Sequence, residues 1–468
     1  MPRMLRLYDT MARAVVDVAP ADGRRLTMYT CGPTVYRYMH IGNLRTFLMA
    51  DLIRRAFEYL GYEVEQIQNI TDVGHMTDEL FDRGEDKMLL AARMEDRSPE
   101  EIAAHYTECF LDDVRAFNVR PAAAYPKASD HIPQMQELIA RLLERGHAYE
   151  IDGTVYYDVT SFPAYGRLSG NTLDQLHAGH RDVVMDERKK HPADFVLWVA
   201  AGDKRVIKFD SPWGEGYPGW HIECSAMSMT RFGETFDLHT GGEDNVFPHH
   251  EDEIAQSEGA VGHQVVAHWA HGAHLLSEGR KMAKSAENFC DLRDLAARGH
   301  TEPLAARLLF LQARYRAQMN FTLDALRAAE TTLQRWRRLV ADWASEPPPG
   351  SDRARAFEDR FVAAISNDLE TPAAIALVAE VVSSDALAPG DRAALLRRWD
   401  EVLGLELARE VGVSVEVPEA VRDLIMQRNE ARARSDWPTA DRLRHEILSL
   451  GFEVEDTPEG PMPRRATR

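Results

Sequence analysis

The sequence predicts an α/β protein: a doubly wound parallel sheet carrying an inserted subdomain, then a helical bundle, then a small C-terminal module. Three observations carry this. A strand-like run, a long amphipathic helix and a second strand-like run follow one another within about 45 residues, the signature of a parallel βαβ unit. Beyond residue 205 the pattern resumes, with a further strand that ends in a glycine pair. From Pro303 onward helical periodicity dominates.

Taken in order, RLTMYTC (25–31) reads as a buried strand running into the Gly32-Pro33 turn. In the segment that follows, Leu44, Phe47, Leu48, Leu52, Ile53, Phe57 and Leu60 recur at helical spacing, with Gly61 as the stop. Val64–Ile70 reads as the second strand, which makes the unit Rossmann-like. Residues 78–118 look helical, and Pro121–Pro133 looks like a loop. The stretch from 120 to 205 is mixed: TVYYDVT alternates as a strand does, and RDVVMDERKKHPADF is polar and irregular. GYPGWHIECSAMS and the strand TFDLHTGGED follow. SEPPPGSDR (345–353) is a surface loop between helices, and Val411–Pro418 marks a break before the last module. The expected divisions are therefore 1–119, 120–205, 206–320, 321–410 and 411–468. No repeat of fixed period and no low-complexity tract is evident.

The 468 residues contain 55 Lys+Arg and 75 Asp+Glu, a formal charge of −20, with 44% hydrophobic and 28% charged residues. That balance belongs to a folded globular chain of about three domains. No apolar run of about 18 residues is present, so no membrane span is expected. The opening MPRMLRLYDTMARAVVDVAP lacks the apolar core of a signal peptide. The four cysteines are too sparse for a disulfide scaffold, so a cytoplasmic protein with reduced thiols is expected. The acidic total argues against a non-specific nucleic-acid coat but leaves room for a local basic face.

Chemistry concentrates at a few places. In FPHHEDE, Pro248 suits a first helical turn, and His249 and Glu253 stand at i and i+4 on one helix face. An imidazole and a carboxylate so placed supply two zinc ligands, and thiolates from Cys31 and Cys224 are candidates for the others. Taken alone, HxxxE is common on solvated helices, and lone buried cysteines are mostly small hydrophobes. His40-Ile41-Gly42-Asn43 sits between a strand and a helix, where backbone N–H groups favour a phosphate. Lys281-Met282-Ala283-Lys284-Ser285 has the composition of a mobile basic loop able to neutralise a departing pyrophosphate. Each of these patterns, singly, is also met in ordinary turns.

In this order and this fold they resemble a known family. HIGN is similar to the HIGH signature, and KMAKS to the KMSKS signature, of class I aminoacyl-tRNA synthetases. YTCGPTVYRYMHIGNLRTF, PGWHIECSAMS, FPHHEDEIAQSEG and DLETPAAIALV narrow the resemblance to cysteinyl-tRNA synthetases, across essentially the whole chain. The resemblance implies a reaction in which ATP activates L-cysteine to cysteinyl-adenylate and cysteine passes to the terminal adenosine of cysteine tRNA. It implies one Zn²⁺ per chain on Cys31, Cys224, His249 and Glu253, with Mg²⁺ accompanying ATP. It places His40, Gly42, Asn43 and Lys284 at ATP, Lys281 with them in catalysis, and Thr71 and Trp220 at the cysteine pocket. It further implies an anticodon-binding module at the C-terminus, no membrane association and a monomer. The zinc is expected to select the thiolate, so no editing domain is needed, and the insertion at 120–205 is too short for one.

Three features depart from the family pattern. Ala283 replaces a serine; Gly74-His75 follow Thr71-Asp72-Val73 where two acidic residues are usual; and the tail Pro461-Met462-Pro463-Arg464-Arg465 lacks a tryptophan. Arg335, Trp336, Arg337, Arg338 and the cluster Arg428, Arg432, Arg434 with Trp437 are candidates for tRNA contact. Against this, Glu430, Asp436 and Asp441 are available to pair with the last three arginines on a solvated helix. Two other readings compete: a mycothiol-type ligase joining cysteine to an amino-sugar, and a catalytically silent tRNA-binding relative. The C-terminal module disfavours the first, and the two intact phosphate motifs disfavour the second.

Overall fold

The structure is a computed structural model that describes all residues except 1–3, 74–75, 79–82, 174–185, 203–204, 278, 282–289, 414–416, 458–459 and 466–468. The chain forms two compact units, Met1–Leu407 and Ala408–Arg468.

The first unit opens with a hairpin of β1 (Leu5–Asp9) and β2 (Ala14–Val18). Next come β3 (Arg25–Thr30), α1 (Ile41–Tyr59) and β4 (Glu63–Gln68), and β3 pairs with β4 in parallel. The expected βαβ unit is there, and α1 stops at Leu60 before Gly61 in the left-handed region. The expected single helix over 78–118 is not. Instead β5 (Met76–Asp78) and β6 (Arg83–Asp86) form a hairpin, and two helices follow, α2 (Lys87–Glu95) and α3 (Pro99–Ala116). Asp86 caps α2 by accepting from the N–H groups of Met88 and Leu89. Ser98 and Glu101 form a capping box on α3, with Pro99 in its first turn. Two strong N-terminal caps inside one periodic run are what divide it.

The expected loop at 121–133 ends early: a 3-10 turn at Ala128–His131 leads into α4 (Ile132–Glu144), with Pro133 in its first turn. An antiparallel sheet then forms from β7 (Ala148–Ile151), β8 (Thr154–Tyr157), β9 (Phe195–Ala200) and β10 (Gly216–Pro218), the last of which lies beyond the expected division at 205. After it come α5 (Trp220–Phe232), β11 (Phe236–Gly242), α6 (Glu251–Val261) and β12 (Val266–Gly272). β11 and β12 complete a parallel sheet of order β12-β11-β3-β4. Six of the seven residues of β11 are buried, as in a strand covered on both faces. One hydrophobic core joins insertion and sheet, with Val155, Leu197 and Trp198 alongside Ile222, Met227 and Trp269.

β13 (Leu275–Ser277), β14 (Arg280–Lys281), α7 (Leu292–Ala297), α8 (Pro303–Leu311) and β15 (Met319–Phe321) precede the bundle of α9 (Leu323–Trp343), α10 (Asp352–Ile365), α11 (Thr371–Ser383) and α12 (Pro389–Leu403). A buried ion cluster locks the bundle to the sheet. Asp51 on α1 accepts from Arg55 at 2.7 Å and Arg307 at 2.6 Å, and Arg307 donates to the carbonyls of Phe117, Asn118 and Leu403. Trp336 and Arg337, candidates for tRNA contact, are instead buried. Arg337 is spent on Glu302 and on the carbonyls of Leu405 and Glu406.

The second unit holds α13 (Glu419–Ala433), α14 (Trp437–Ser449) and a hairpin of β16 (Phe452–Thr457) and β17 (Gly460–Arg465) around Val421, Ile425, Ile447, Phe452 and Val454. Arg428 is buried and bidentate to Asp456, at 2.9 Å on each oxygen, and Arg432 pairs with the same carboxylate. The acid that engages these arginines therefore lies on the hairpin and was not among the expected partners. No described helix is long and apolar enough to cross a membrane.

Candidate active site and metal centre

A cleft opens over the C-terminal ends of the parallel strands, where this class of sheet binds ligands. Its lining comes from the loop after β3 (Cys31–Met39), the start of α1 (His40, Gly42, Asn43), Trp220 on α5, Gly242–Asn245 after β11 and Gly272–Leu275 after β12. His40 is the N-cap of α1, and its Nδ1 accepts from the Asn43 N–H at 3.1 Å. The first turn of α1 has no acidic residue, so its N–H groups and dipole present positive potential to the cleft. At Gly42 a Cβ would stand 2.8 Å from His40 Nδ1, so a larger residue would have to displace the capping imidazole. Gly32 is required, since a Cβ would collide with the Asn69 carbonyl.

Arg45, one turn further along α1, fixes the opposite wall. It is buried, and its guanidinium donates to the carbonyls of Ala273, His274, Arg314 and Ala317 at 2.6–3.1 Å. Burial pushes it down to about 10.

Cys31, which lines the cleft, converges with Cys224, His249 and Glu253, all buried, with their donor atoms within 4.8 Å of one another. His249 Nε2 is 3.1 Å from Glu253 Oε1, the i,i+4 contact expected from sequence. The local backbone differs from the expectation. Phe247 is extended, the bond to Pro248 is cis, and the regular helix begins at Glu251. A second set shares two members: Cys31, His239, His250 and Glu253 also lie within 4.8 Å of one another. In that set His250 Nε2 is 3.1 Å from Cys31 Sγ and His239 Nε2 is 3.0 Å from Glu253 Oε2. His250 Nδ1 meets His271 Nε2 at 2.7 Å, and His271 Nδ1 meets Thr10 Oγ1 at 2.7 Å. His249 is held from outside by His221, with Nδ1 atoms 2.8 Å apart, and by Trp220, whose ring centroid lies 4.2 Å away.

The electrostatics favour a cation at this point. The hydrogen bond with Cys31, then burial, pushes the Cys224 thiol well up; burial pushes the Glu253 carboxyl well up. Burial, and then its histidine neighbours, hold His250 well down. Potential anions that cannot ionise alone, packed with neutral imidazoles, suit a divalent ion that would offset their charge. Two thiols, an imidazole and a carboxylate are donors that zinc accepts.

Thr71 does not line the cleft. It is buried behind the wall, accepting from Asn69 Nδ2 at 3.1 Å and donating to Glu223 Oε2 at 2.9 Å. Lys281 pairs through its backbone with Leu276, while Lys284, Ala283 and the Gly74-His75 departure lie outside the described residues. Several cleft residues had escaped sequence reasoning: Tyr36, Arg37, Lys87, Asp244 and His274. The only signal for Asp244 was the glycine pair before it. The histidine network had a signal too, since histidine is out of place in runs as apolar as FDLHTGG and HWAHG.

Residues 17–331 match the family model of the class I (C) tRNA synthetase catalytic domain, and residues 414–460 match that of the cysteinyl-tRNA ligase anticodon binding domain. A cysteine–tRNA ligase of Thermus thermophilus is 45% identical, with 98% of each chain covered. Another from Salinibacter ruber is 42% identical over 97% of each. The chain belongs to the cysteine–tRNA ligase family. The fold is also that of the Mycobacterium tuberculosis methionyl-tRNA synthetase in complex with methionyl-adenylate, with TM-score 0.55 over 82% of this chain and 90% of that one. At 15% identity this likeness concerns the fold alone.

Proposed function

We propose that this enzyme joins L-cysteine to cysteine tRNA in two steps within the one cleft. The cysteine carboxylate attacks the α-phosphorus of ATP and pyrophosphate leaves. A hydroxyl of the terminal ribose of the tRNA then attacks the activated carbonyl and AMP leaves. No enzyme nucleophile is required, so the protein contributes positioning and electrostatic stabilisation.

The observation that carries the reading is the convergence of Cys31, Cys224, His249 and Glu253, with Cys31 lining the same cleft as His40, Gly42 and Asn43. These four are the residues that would hold zinc. The ion supplies a soft partner that binds a thiolate far better than a serine hydroxyl, a difference that size alone gives poorly. The set with two thiols is preferred to the set with His239 and His250 because sulfur donors favour zinc. His239 and His250 then serve as neighbours that orient Glu253 and Cys31.

The remaining roles follow from placement. His40, Gly42 and Asn43 present the α1 N-terminus to the phosphates, Lys281 and Lys284 meet the charge on the leaving pyrophosphate, and Trp220 walls the cysteine pocket. Thr71 acts at one remove, holding Glu223 on the helix that carries Trp220 and Cys224. Trp437, 55% exposed and within 6.0 Å of the Arg432 guanidinium, is the residue of the second unit suited to stack on an anticodon base. Cysteine-dependent pyrophosphate exchange, measured alongside charging of cysteine tRNA, tests the reading. Exchange without charging would favour a small-molecule acceptor, and no exchange would favour a silent relative.

A further inference from the structure

The motif DLETP, at 368–372, has no part in the chemistry above. It spans the turn between α10 and α11, where Asp368 and Leu369 both lie in the left-handed region, with φ of 57° and 47°. No other two adjacent non-glycine residues do so among the described residues. Such a backbone persists only where its surroundings over-determine it, and here they do. Asp368 is buried, and its carboxylate accepts from the Tyr8 N–H at 2.9 Å, the Tyr315 hydroxyl at 2.6 Å and the Arg316 Nε at 2.5 Å. Its own N–H donates to the Arg6 carbonyl at 2.8 Å. Glu370 pairs with Arg314 at 2.5 Å, and the Thr371 hydroxyl donates to the Ala313 carbonyl at 3.3 Å. One turn thus grips every residue from 313 to 316.

The other side of that segment holds the cleft. The Tyr315 carbonyl accepts from the Ala273 N–H at 2.9 Å. The Arg314 and Ala317 carbonyls accept from Arg45, which also binds the carbonyls of Ala273 and His274. Ala273 and His274 line the cleft, and Leu275 beside them stands against the start of α1: a Cβ built on Gly42 would lie 3.6 Å from the Leu275 Cβ. The donors Cys31, Cys224, His249 and Glu253 come from other elements than this wall. We infer that Asp368 is a positioning residue for the nucleotide: with Glu370 and Thr371 it holds residues 313–317, and through them sets the wall at 272–275 against the start of α1 where ATP binds. Side chains remote from a ligand act in this way when they fix the backbone that the ligand lies against. The inference rests on the ligase reading and adds to it the part played by this turn of the bundle.

The test measures two quantities in Asp368→Ala and Asp368→Asn. They are the KM values for ATP and for cysteine in pyrophosphate exchange, and the Kd of a non-hydrolysable ATP analogue without cysteine. Alanine should weaken ATP on both measures by about tenfold, the scale of one charge-assisted contact, and leave the KM for cysteine within error of wild type. Asparagine accepts a left-handed backbone and can still accept from Tyr315, so it should return ATP affinity to within about threefold of wild type. Should both variants fail to fold, Tyr315→Phe decides the matter, since it removes one donor to Asp368 and keeps the ring. It should shift ATP binding in the same direction and spare cysteine. Folded variants with unchanged ATP binding would overturn the inference, because Asp368 would then serve stability alone. Equal weakening of ATP and cysteine would overturn it too, as a general loosening of the cleft. If wild-type protein shows no cysteine-dependent exchange, the ligase reading falls, and the Kd of the analogue still decides the role of Asp368.

Discussion

His271 illustrates how much a single side chain in this site is constrained. It is buried between Thr10 and His250, and burial pushes it down to about 3. Unfolded, the same group titrates near 6.5. Between those values the unfolded chain binds a proton that the folded chain refuses, so stability rises with pH there. The contribution is complete above about pH 6.5 and is lost as the pH falls toward 3. Urea unfolding at pH 6 and pH 5 should show a pH slope that His271→Gln reduces by about 1 kcal/mol per unit. An unchanged slope would mean the imidazole is not held neutral. Lys284→Ala should lower adenylate formation by about 100-fold while leaving cysteine binding nearly intact, because the charge it meets develops mainly in the transition state. Exchange kinetics equal to wild type would remove Lys284 from the reaction. At this scale the i,i+4 pair His249 and Glu253 was legible from helical spacing, and Cys31 and Cys224 were legible as their companions only through the family resemblance. Lys87 was not: only the hairpin before α2 brings it to the cleft, and no local pattern announces that.

At the scale of elements, the C-terminal unit is the clearest candidate for a separable function. Removing residues from Val411 onward should depress charging of tRNA far more than pyrophosphate exchange, since every described residue that lines the cleft lies before 276. A parallel loss of both would make the unit a structural support. Trp437→Ala should weaken tRNA binding by about 1–3 kcal/mol, the usual worth of one stacked base, and tRNA titration would show it. The helices of this unit were legible from their periodicity, but β16 and β17 were not. Pro461 and Pro463 demote a strand reading, and both are accommodated in a two-stranded hairpin with open edges. That hairpin supplies Asp456, so the partner of Arg428 and Arg432 was hidden with it. The division of 78–118 into a hairpin and two helices follows the same logic: periodicity spans the segment, and the caps at Asp86 and Ser98 decide where it breaks.

Across the molecule, the parallel sheet, the insertion and the bundle converge on one arrangement. The N-terminus of α1 opens on the cleft, and Cys31 in the cleft lining belongs to a buried cluster of potential metal donors. The arrangement is stabilised at a distance by Arg45 and by the Asp51–Arg307 cluster, which fix α1 against the loop after β12 and against the bundle. The central claim is that Cys31, Cys224, His249 and Glu253 hold a metal that recognises the substrate thiol. Cobalt substitution tests it most directly, because sulfur-to-metal charge transfer absorbs where zinc is silent. Adding cysteine to the cobalt enzyme is expected to raise that absorption and adding serine to leave it unchanged, with His249→Ala losing metal and discrimination together. A cobalt spectrum indifferent to cysteine, or metal-free protein that still prefers cysteine to serine by its usual margin, would contradict it.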